Sequence, residues 1–413
     1  MPRPAPGTDD LRRLLAAAPA VSRRGFLRGA GLAGLGLGAP TLLSACGTKA
    51  AKQTASSCVS KDLSASQKTL HFSNWPLYLD EKKVKQAGKK VTVYPSLQKF
   101  EKESGIKVDY VTDVNDNSEF FGKMQPLLDQ GESGGRDIMV VTDWMANKMH
   151  NLGYLQDFDQ EAVKPAMDSL VPSLQSPSFD PDRSFSLPWQ SGMTGLVVNT
   201  AEAPDVKSVN DLFDPQYKGQ VEMLTEMRDT VPLVMKADGV DPTTATKQDW
   251  LDAIDKIKEA SDSGQIRKFT GNNYTNDLAN GDAVAVIGWS GDAIQLQADN
   301  PDIQFVMPEQ GCMIWSDNMV IPVGAPNPTA AYAWMNYVYE PKNQAQITDY
   351  NFYFSPVAGV KPLIEKTDPQ AAKSPLIFPT DTYTKNCTTQ VDPPGSDEDV
   401  ADVEQAFQAV VTG

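Results

Sequence analysis

Short apolar runs alternate with amphipathic stretches along most of this chain. Four runs have the pattern of strands, either alternating apolar and polar residues or nearly continuous apolar residues: Thr69–Phe72, Ile106–Thr112, Ile138–Val141 and Ala283–Ile287. Three stretches carry apolar residues at helical spacing: Glu119–Gln130, Trp250–Ala260 and Asp399–Val411. Strands separated by helices favour mainly parallel sheets, so the pattern predicts an α/β fold.

Length and net charge limit the number of domains and the kinds of function that this chain can have. At 413 residues the chain exceeds one ordinary hydrophobic core, so we expect two domains. The net charge of −16 argues against nucleic acid, because binding phosphates needs clustered basic residues. His71 and His150 are the two histidines, which leaves little room for histidine-based metal sites or general-base chemistry. Composition therefore favours binding over catalysis, with no metal or cofactor expected.

The first residues have the pattern of an export signal. Ser22–Arg28 reads SRRGFLR, which is typical of a twin-arginine signal, and a weakly apolar stretch follows at Gly29–Leu43. This stretch is too short to cross a ~30 Å hydrocarbon core. Leu43–Cys46 has the pattern of a lipoprotein cleavage box. We expect residues 1–45 to be removed and Cys46 to carry a lipid.

The segment after the expected cleavage site is polar. Residues 46–67 are rich in Ala, Ser, Thr and Lys, which predicts a flexible tether. Export places the other cysteines, Cys58, Cys312 and Cys387, where disulfides persist. Their number is odd, so at least one is unpaired or pairs between chains. We prefer a Cys312–Cys387 bond, although sequence alone leaves the pairing open.

One motif formally matches a hydrolase nucleophile elbow. Gly131–Gly135 reads G-x-S-x-G, but it follows a predicted helix and precedes a predicted strand, the reverse of the elbow's arrangement. We interpret it as a glycine-rich helix end and loop. Phosphate-binding and dinucleotide-binding glycine motifs are absent from the sequence, as are zinc-finger cysteine pairs.

Aromatic residues stand beside carboxylates next to the predicted strands. The segments are Asn74–Tyr78, Thr142–Trp144, Trp289–Asp292 and Trp315–Asp317. Open α/β sheets place their ligands at the carboxyl ends of strands. An aromatic face attracts a cation, and a carboxylate adds charge-assisted hydrogen bonds. The combination indicates a site for a cationic ligand.

These segments resemble a known family. From about Leu70 onward the chain resembles the substrate-binding proteins of bacterial polyamine ABC importers, which are type II periplasmic binding proteins. The more specific matches are NWPLY at Asn74–Tyr78, DIMVVTDWMANKM at Asp137–Met149, IGWSGDA at Ile287–Ala293 and IWSDNMVIP at Ile314–Pro322. Ser184–Asn199 and Ser208–Gly219 resemble patterns shared more widely among type II binding proteins.

The resemblance implies a set of ligand-binding residues. The aromatic box would be Trp75, Tyr78, Trp144, Trp289, Trp315 and Tyr353. Thr142 would be a hydroxyl acceptor, and Gln390 would close one end of the cleft. The carboxylates that receive amines would be Glu226, Asp229, Asp292 and Asp317.

Each acid also has a structural alternative. Glu226 and Asp229 could flank Arg228 as surface ion pairs, Asp317 could cap a turn, and Asp292 could be a helix N-terminal acid. We interpret Asp143 and Asp282 as solvated.

Three features depart from the family pattern. Pro76 stands where a hydroxyl residue is common, Glu226 replaces an Asp, and Lys82–Lys90 resembles a lysine-rich insertion. These departures bear on ligand length more than on ligand class.

The resemblance also implies two lobes with a ligand cleft between them, each a mainly parallel sheet flanked by helices. We expect residues 68–197 with 317–359 in lobe 1, and residues 198–316 with 360–413 in lobe 2. Crossings would fall near Val197–Asn199, Asp317 and Val357–Lys361.

The expected function is a monomeric, lipid-anchored receptor on the outer face of the cytoplasmic membrane. It would bind spermidine or putrescine and deliver it to an ABC permease. Two alternatives stay open: a type II receptor for another cationic ligand or a sugar, and an exported hydrolase that uses paired carboxylates.

Overall fold

The computed structural model describes residues 61–86 and 88–413. The predicted export signal, Cys46 and Cys58 lie outside the described residues. The strands are Thr69–Ser73 (β1), Lys82–Gln86 (β2), Lys89–Val93 (β3), Lys107–Val111 (β4), Ile138–Thr142 (β5), Leu187–Asn199 (β6), Val221–Leu224 (β7), Ile266–Thr270 (β8), Ala285–Trp289 (β9), Ile303–Val306 (β10), Met313–Val320 (β11) and Thr388–Thr389 (β12).

Helices cover the sheet. They are Ser64–Gln67 (α1), Pro95–Ser104 (α2), Asn117–Leu128 (α3), Asp143–Asn151 (α4), Gln160–Ser169 (α5), Met227–Ala237 (α6), Lys247–Asp262 (α7), Tyr274–Asn280 (α8), Ser290–Gln297 (α9), Pro328–Val338 (α10), Pro341–Asn351 (α11), Lys361–Thr367 (α12), Asp381–Thr384 (α13) and Asp397–Thr412 (α14). Within the described ranges, no helix combines the length and hydropathy needed to span a membrane.

The main sheet consists of two parallel parts joined by antiparallel strands. Its order is β4-β1-β5-β11-β6-β9-β7-β8, with β10 on β6 and β12 on β11. β1 is parallel to β4 and β5, and β7 is parallel to β8 and β9. β11 runs antiparallel to β5, and β6 runs antiparallel to β9. Each parallel part is built from strands that are separated by helices along the chain, as the sequence pattern predicts.

β6 and β11 are the continuous connection between the two parts. β11 pairs with β5 through Asp317–Val320 and with β6 over most of its length, while β6 pairs with β9 through Thr194–Val198. Every residue of β6 except the last is buried. Gly192 in β6 is required by packing, because a Cβ there would lie 2.5 Å from the Trp315 ring.

The predicted elements are largely confirmed. β1, β4, β5, α3, α7 and α14 contain or overlap the segments predicted from the pattern. The strand predicted from Ala283 begins two residues later, at Ala285. The G-x-S-x-G segment is a loop between α3 and β5, with positive φ at Gly131, Gly134 and Gly135. The nucleophile-elbow interpretation is therefore excluded by the order of the elements.

A disulfide and a pair of hydrogen bonds attach two segments to the rest of the fold. A disulfide joins Cys312, next to β11, to Cys387, next to β12. At the amino-terminal side, the Leu63 amide donates to the Pro326 carbonyl at 2.8 Å, and Thr329 Oγ1 donates to Asp62 Oδ2 at 2.6 Å. The last residues of the expected tether therefore pack onto the folded body.

Candidate functional site

Strand ends from both parts of the sheet meet at one place. β1 leads into the segment that carries Trp75 and Tyr78, and β5 ends at Thr142. From the other part, β7 leads to Glu226 and Asp229 at the start of α6, and β9 ends at Trp289. The carboxyl ends of parallel strands in open α/β sheets form ligand crevices. This topology therefore brings side chains that are distant in sequence into one cleft.

Five aromatic rings form a closed circuit in this cleft. Going around it, ring centroids are 6.3 Å apart for Trp75–Trp289, 6.5 Å for Trp289–Trp315, 5.4 Å for Trp315–Tyr353, 5.5 Å for Tyr353–Tyr78 and 6.1 Å for Tyr78–Trp75. These spacings are normal for interacting aromatic pairs. We call these five residues the aromatic circuit. Their rings provide a water-excluding wall with several π faces.

Asp317 is held by two hydroxyl groups. Its place on β11 puts it two residues from Trp315, so both side chains point to the same face of the strand. Thr142 Oγ1 donates to Asp317 Oδ1 at 2.7 Å, and Tyr78 Oη donates to Asp317 Oδ2 at 2.7 Å. Burial raises the pKa of Asp317 to about 7.

Asp229 and Glu226 come from the start of α6. Asp229 accepts from Trp289 Nε1 at 3.1 Å and from Gln390 Nε2 at 2.7 Å. Glu226 caps the helix by accepting from the Arg228 amide at 3.2 Å. Burial raises the pKa of Asp229 to about 6 and that of Glu226 to about 8. Both acids are thus oriented by neutral donors in surroundings that disfavour their charge.

None of these three carboxyl groups forms an ion pair with a basic side chain of the described chain at 4.0 Å or less. Arg228 is the nearby cation, but its guanidinium binds Asp392 at 2.6 Å and Glu404 at 2.9 Å. The interpretation of Glu226 and Asp229 as surface partners of Arg228 is therefore wrong, since both acids are buried. The charge of Arg228 lowers the pKa of Glu226, but burial outweighs it. Buried carboxyl groups without a paired cation are unfavourable, so the cleft suits a positively charged ligand.

A small cavity lies between these groups. Most of the sequence-predicted residues line it: Trp75, Tyr78, Thr142, Glu226, Asp229, Trp289, Trp315, Asp317 and Gln390. Gln390 Oε1 is buried and has no hydrogen-bond donor among the described residues. In the described part of the chain, no group of three or more His, Cys, Asp or Glu side chains is arranged to hold a metal ion.

Two predicted residues lie behind the cavity wall. Asp292 accepts from Tyr353 Oη at 2.8 Å, from Tyr274 Oη at 2.8 Å and from Asn272 Nδ2 at 3.3 Å, and it does not line the cavity. Trp144 donates to Glu226 Oε2 at 3.3 Å, and the Arg228 guanidinium lies 3.8 Å from its ring centroid. Tyr353 belongs to the circuit, although it is absent from the cavity lining.

The solvated interpretation of Asp143 is wrong. This residue is half-buried at the start of α4 and accepts from Asn318 Nδ2 at 2.7 Å. Burial raises the pKa of Asp143 to about 6. Sequence pattern alone does not indicate this contact, because Asn318 lies 175 positions further along the chain.

The cleft is closed by direct contacts between its two sides. Asn117 Nδ2 donates both to Thr142 Oγ1 at 2.8 Å and, across the cleft, to Glu226 Oε2 at 3.1 Å. Thr225 Oγ1 donates across the cleft to Asp116 Oδ2 at 2.7 Å. A Cβ on Gly271 would lie 2.3 Å from the Asn115 carbonyl oxygen. The two sides therefore meet closely only because residue 271 is glycine.

Sequence reasoning missed the residues that make these cross-cleft contacts. Asn115, Asp116 and Asn117 lie in the segment between β4 and α3 and at the start of that helix, close to the carboxyl end of a strand as the aromatic segments are. They have no Trp or Tyr beside them, which is the signal that marks the other segments of the cleft. Gly271 has no sequence signal, because its importance comes from the Asn115 backbone opposite it.

A sequence profile described as bacterial extracellular solute-binding protein matches residues 96–379. The chain belongs to this family. Its fold is the two-lobed arrangement of periplasmic binding proteins, with a mainly parallel sheet in each lobe and the cleft between them.

Individual relatives agree with the family assignment. The putrescine-binding periplasmic protein PotF of Escherichia coli is 30% identical over 361 residues, covering 81% of this chain and 90% of PotF. The spermidine/putrescine-binding periplasmic protein of Escherichia coli is 26% identical, covering 78% of this chain and 87% of that protein. A solved structure from Listeria monocytogenes, assigned to a spermidine/putrescine ABC transporter, is similar with a TM-score of 0.71 and 26% identity, covering 83% and 98% of the two chains.

Proposed function

We propose that this solute-binding protein captures a linear polyamine, spermidine or putrescine, and delivers it to the permease of an ABC importer. The protein would bind its ligand without chemical change. The observation that carries the proposal is the set of three buried carboxyl groups, Glu226, Asp229 and Asp317, which surround an aromatic cavity and lack an ion-pair partner. A polyamine provides ammonium groups for the acids and methylene groups for the rings.

Each part of the site has a role in this proposal. Asp317, Glu226 and Asp229 accept hydrogen bonds from ammonium groups, while Gln390 supplies a further acceptor through its unpartnered Oε1. The aromatic circuit encloses the methylene chain and attracts the positive charges adjoining it. The hydroxyl groups of Thr142 and Tyr78 keep Asp317 oriented towards the cavity.

Asp292 and Trp144 act indirectly. Asp292 fixes the phenol of Tyr353, and so it positions one ring of the circuit. Trp144 orients Glu226 through its indole N–H and carries the Arg228 guanidinium on its ring. We therefore assign both as positioning residues, although the family resemblance implies direct ligand contact.

The relatives support this ligand class. PotF is named for putrescine, and the other Escherichia coli relative is named for spermidine and putrescine. A neutral sugar suits the aromatic walls, but it has no positive charge to offset the buried acids.

Export and anchoring complete the proposal. The twin-arginine motif and the cleavage box at Leu43–Cys46 support export and lipid attachment at Cys46. The receptor would then act as a monomer on the outer face of the cytoplasmic membrane. Its lobes would comprise residues 68–197 with 317–359 and residues 198–316 with 360–413.

Calorimetric titration tests the function. The protein without residues 1–46 is titrated with spermidine, putrescine, spermine, glycine betaine and maltose at physiological salt. Saturable micromolar or tighter binding of a polyamine supports the proposal. A folded sample that binds maltose or glycine betaine and ignores all three polyamines contradicts it.

Asp317→Asn should weaken polyamine binding by about tenfold or more, equivalent to about 1.4 kcal/mol. The substitution keeps the side-chain size but removes the charge that faces an ammonium group. Affinity is measured by calorimetry, with Asp182→Asn as the matched control because Asp182 is exposed on a loop. Equal affinity of Asp317→Asn and Asp182→Asn would show that Asp317 does not hold the ligand.

Polyamine affinity should fall as the pH drops from about 8 to about 6. Burial in the cleft raises the pKa of Glu226 to about 8 and that of Asp317 to about 7, whereas a bound ammonium group favours their ionised forms. Binding therefore displaces protons, and lower pH opposes it. Titrations across this range measure the effect, and Glu226→Gln should flatten its upper part. An affinity that stays constant or improves on acidification would contradict this linkage.

Gly271→Ala should weaken polyamine binding by about tenfold or more. The added Cβ would meet the Asn115 carbonyl oxygen at 2.3 Å, so the lobes could not close fully around the ligand. Small-angle scattering should show less compaction on spermidine addition than in the parent protein. Gly122→Ala is the control, because a Cβ at that exposed position in α3 meets no atom within 4 Å. Parent-like affinity and compaction in Gly271→Ala would refute the role of this contact.

A further inference from the structure

A lysine-rich hairpin stands apart from the main sheet. β2 and β3 pair only with each other, as a two-stranded antiparallel ribbon. Together they carry five lysines and no acidic residue, in a chain whose net charge is −16. All five lysines are exposed: Lys82, Lys83, Lys85, Lys89 and Lys90.

The register of the hairpin places three of its five lysines on one face and the other two, Lys82 and Lys89, on the opposite face. Lys85 lies directly opposite Lys90, and Lys83 lies opposite Thr92, so these four side chains share a face. Directly opposed like charges destabilise a strand pair. The half-buried valines, Val84, Val91 and Val93, belong to the other face. The fold therefore maintains an exposed basic face that does not contribute to its stability.

These lysines also lack acidic partners. Within the described residues, none of the five has a carboxylate oxygen within 4.0 Å. Elsewhere on the surface, lysines pair with an acid one helical turn away, as Lys123 does with Glu119 and Lys164 does with Asp168. In a chain with a large excess of acidic residues, a basic face kept free of them is available to an external anion.

We propose that this face, Lys83, Lys85 and Lys90, adsorbs to anionic phospholipid headgroups. The ribbon presents compact point charges and contains no aromatic residue, Met or Arg. Protein–protein interfaces are enriched in those residues and depleted in Lys, so the composition is unfavourable for docking to a protein. Clustered lysines without a pocket suit the diffuse negative potential of a lipid surface.

Adsorption through the hairpin would orient the receptor. β2 begins four residues after Tyr78, so a short segment connects the hairpin to the aromatic circuit. The acidic remainder of the protein is repelled by the same lipid surface. The two effects together favour one orientation, with the hairpin towards the membrane. This inference concerns the surface of the protein and stands whether or not the ligand is a polyamine.

Vesicle co-sedimentation tests the proposal. The protein lacking residues 1–46 is mixed with vesicles of phosphatidylcholine alone, or of phosphatidylcholine with phosphatidylglycerol; residues 1–46 are omitted because they include the arginine-rich signal. The described residues belong to one compact unit. We expect binding only to the anionic vesicles, and weakening as salt screens the charges.

The variant Lys83→Gln, Lys85→Gln, Lys90→Gln should lower partitioning onto anionic vesicles by about tenfold or more. The matched control replaces three exposed lysines elsewhere, Lys366, Lys373 and Lys385, by Gln. Thermal unfolding of the hairpin variant should be unchanged or raised, since like-charge repulsion is removed, and its spermidine titration should match the parent.

Equal partitioning of the two triple variants would overturn the proposal. Binding of the parent to neutral vesicles as strong as to anionic vesicles would also overturn it, as would no vesicle binding at low salt. None of these outcomes bears on the ligand of the cleft, which the calorimetric titrations test separately.

Discussion

Burial of negative charge without a counter-charge is the constraint that organises this protein. Glu226, Asp229 and Asp317 stand in a cleft from which water is largely excluded, and their pKa values rise to between about 6 and about 8 as a result. Indole, amide and hydroxyl donors hold the acids in place. Such donors orient a carboxylate but do not neutralise it, which is why we propose a cationic ligand for this cleft.

The same constraint links binding to the movement of the lobes. Asn117 reaches Glu226 across the cleft, and Gly271 allows the Asn115 backbone to approach closely. In the closed state these contacts place the acids in low-dielectric surroundings, which is unfavourable in the absence of a ligand. We expect closure to be coupled to the arrival of positive charge. The two long strands, β6 and β11, connect the two parts of the sheet on either side of the cleft.

Local patterns predicted much of the fold and of the cleft. β5 was recognisable because four consecutive apolar residues indicate a strand buried on both faces, and Trp289 because it directly follows such a run. The aromatic circuit came from single residues at strand ends, where the topology of α/β sheets concentrates ligands. The assignment of most cavity residues depended on the family resemblance, since spacing alone does not distinguish Glu226 from a surface acid.

Long-range contacts were beyond the reach of the sequence. Asp292 has a ligand-like motif, yet Tyr274 and Tyr353 enclose it behind the wall, and Tyr353 lies 61 positions away. The Arg228 guanidinium covers the ring of Trp144. Asp392 and Glu404, from the last part of the chain, form ion pairs with that guanidinium. The lysine-rich insertion was visible as composition, but its charged face follows from the β2–β3 register.

The central claim is that the cleft requires positive charge and not merely a slender apolar chain. Calorimetric titration with putrescine and with butanediol, in which hydroxyl groups replace the amino groups of the same carbon chain, tests it most directly. The account predicts saturable binding of putrescine and no detectable binding of the diol. Comparable affinity for the two compounds would contradict it, because the buried carboxyl groups would then not be selecting a cation.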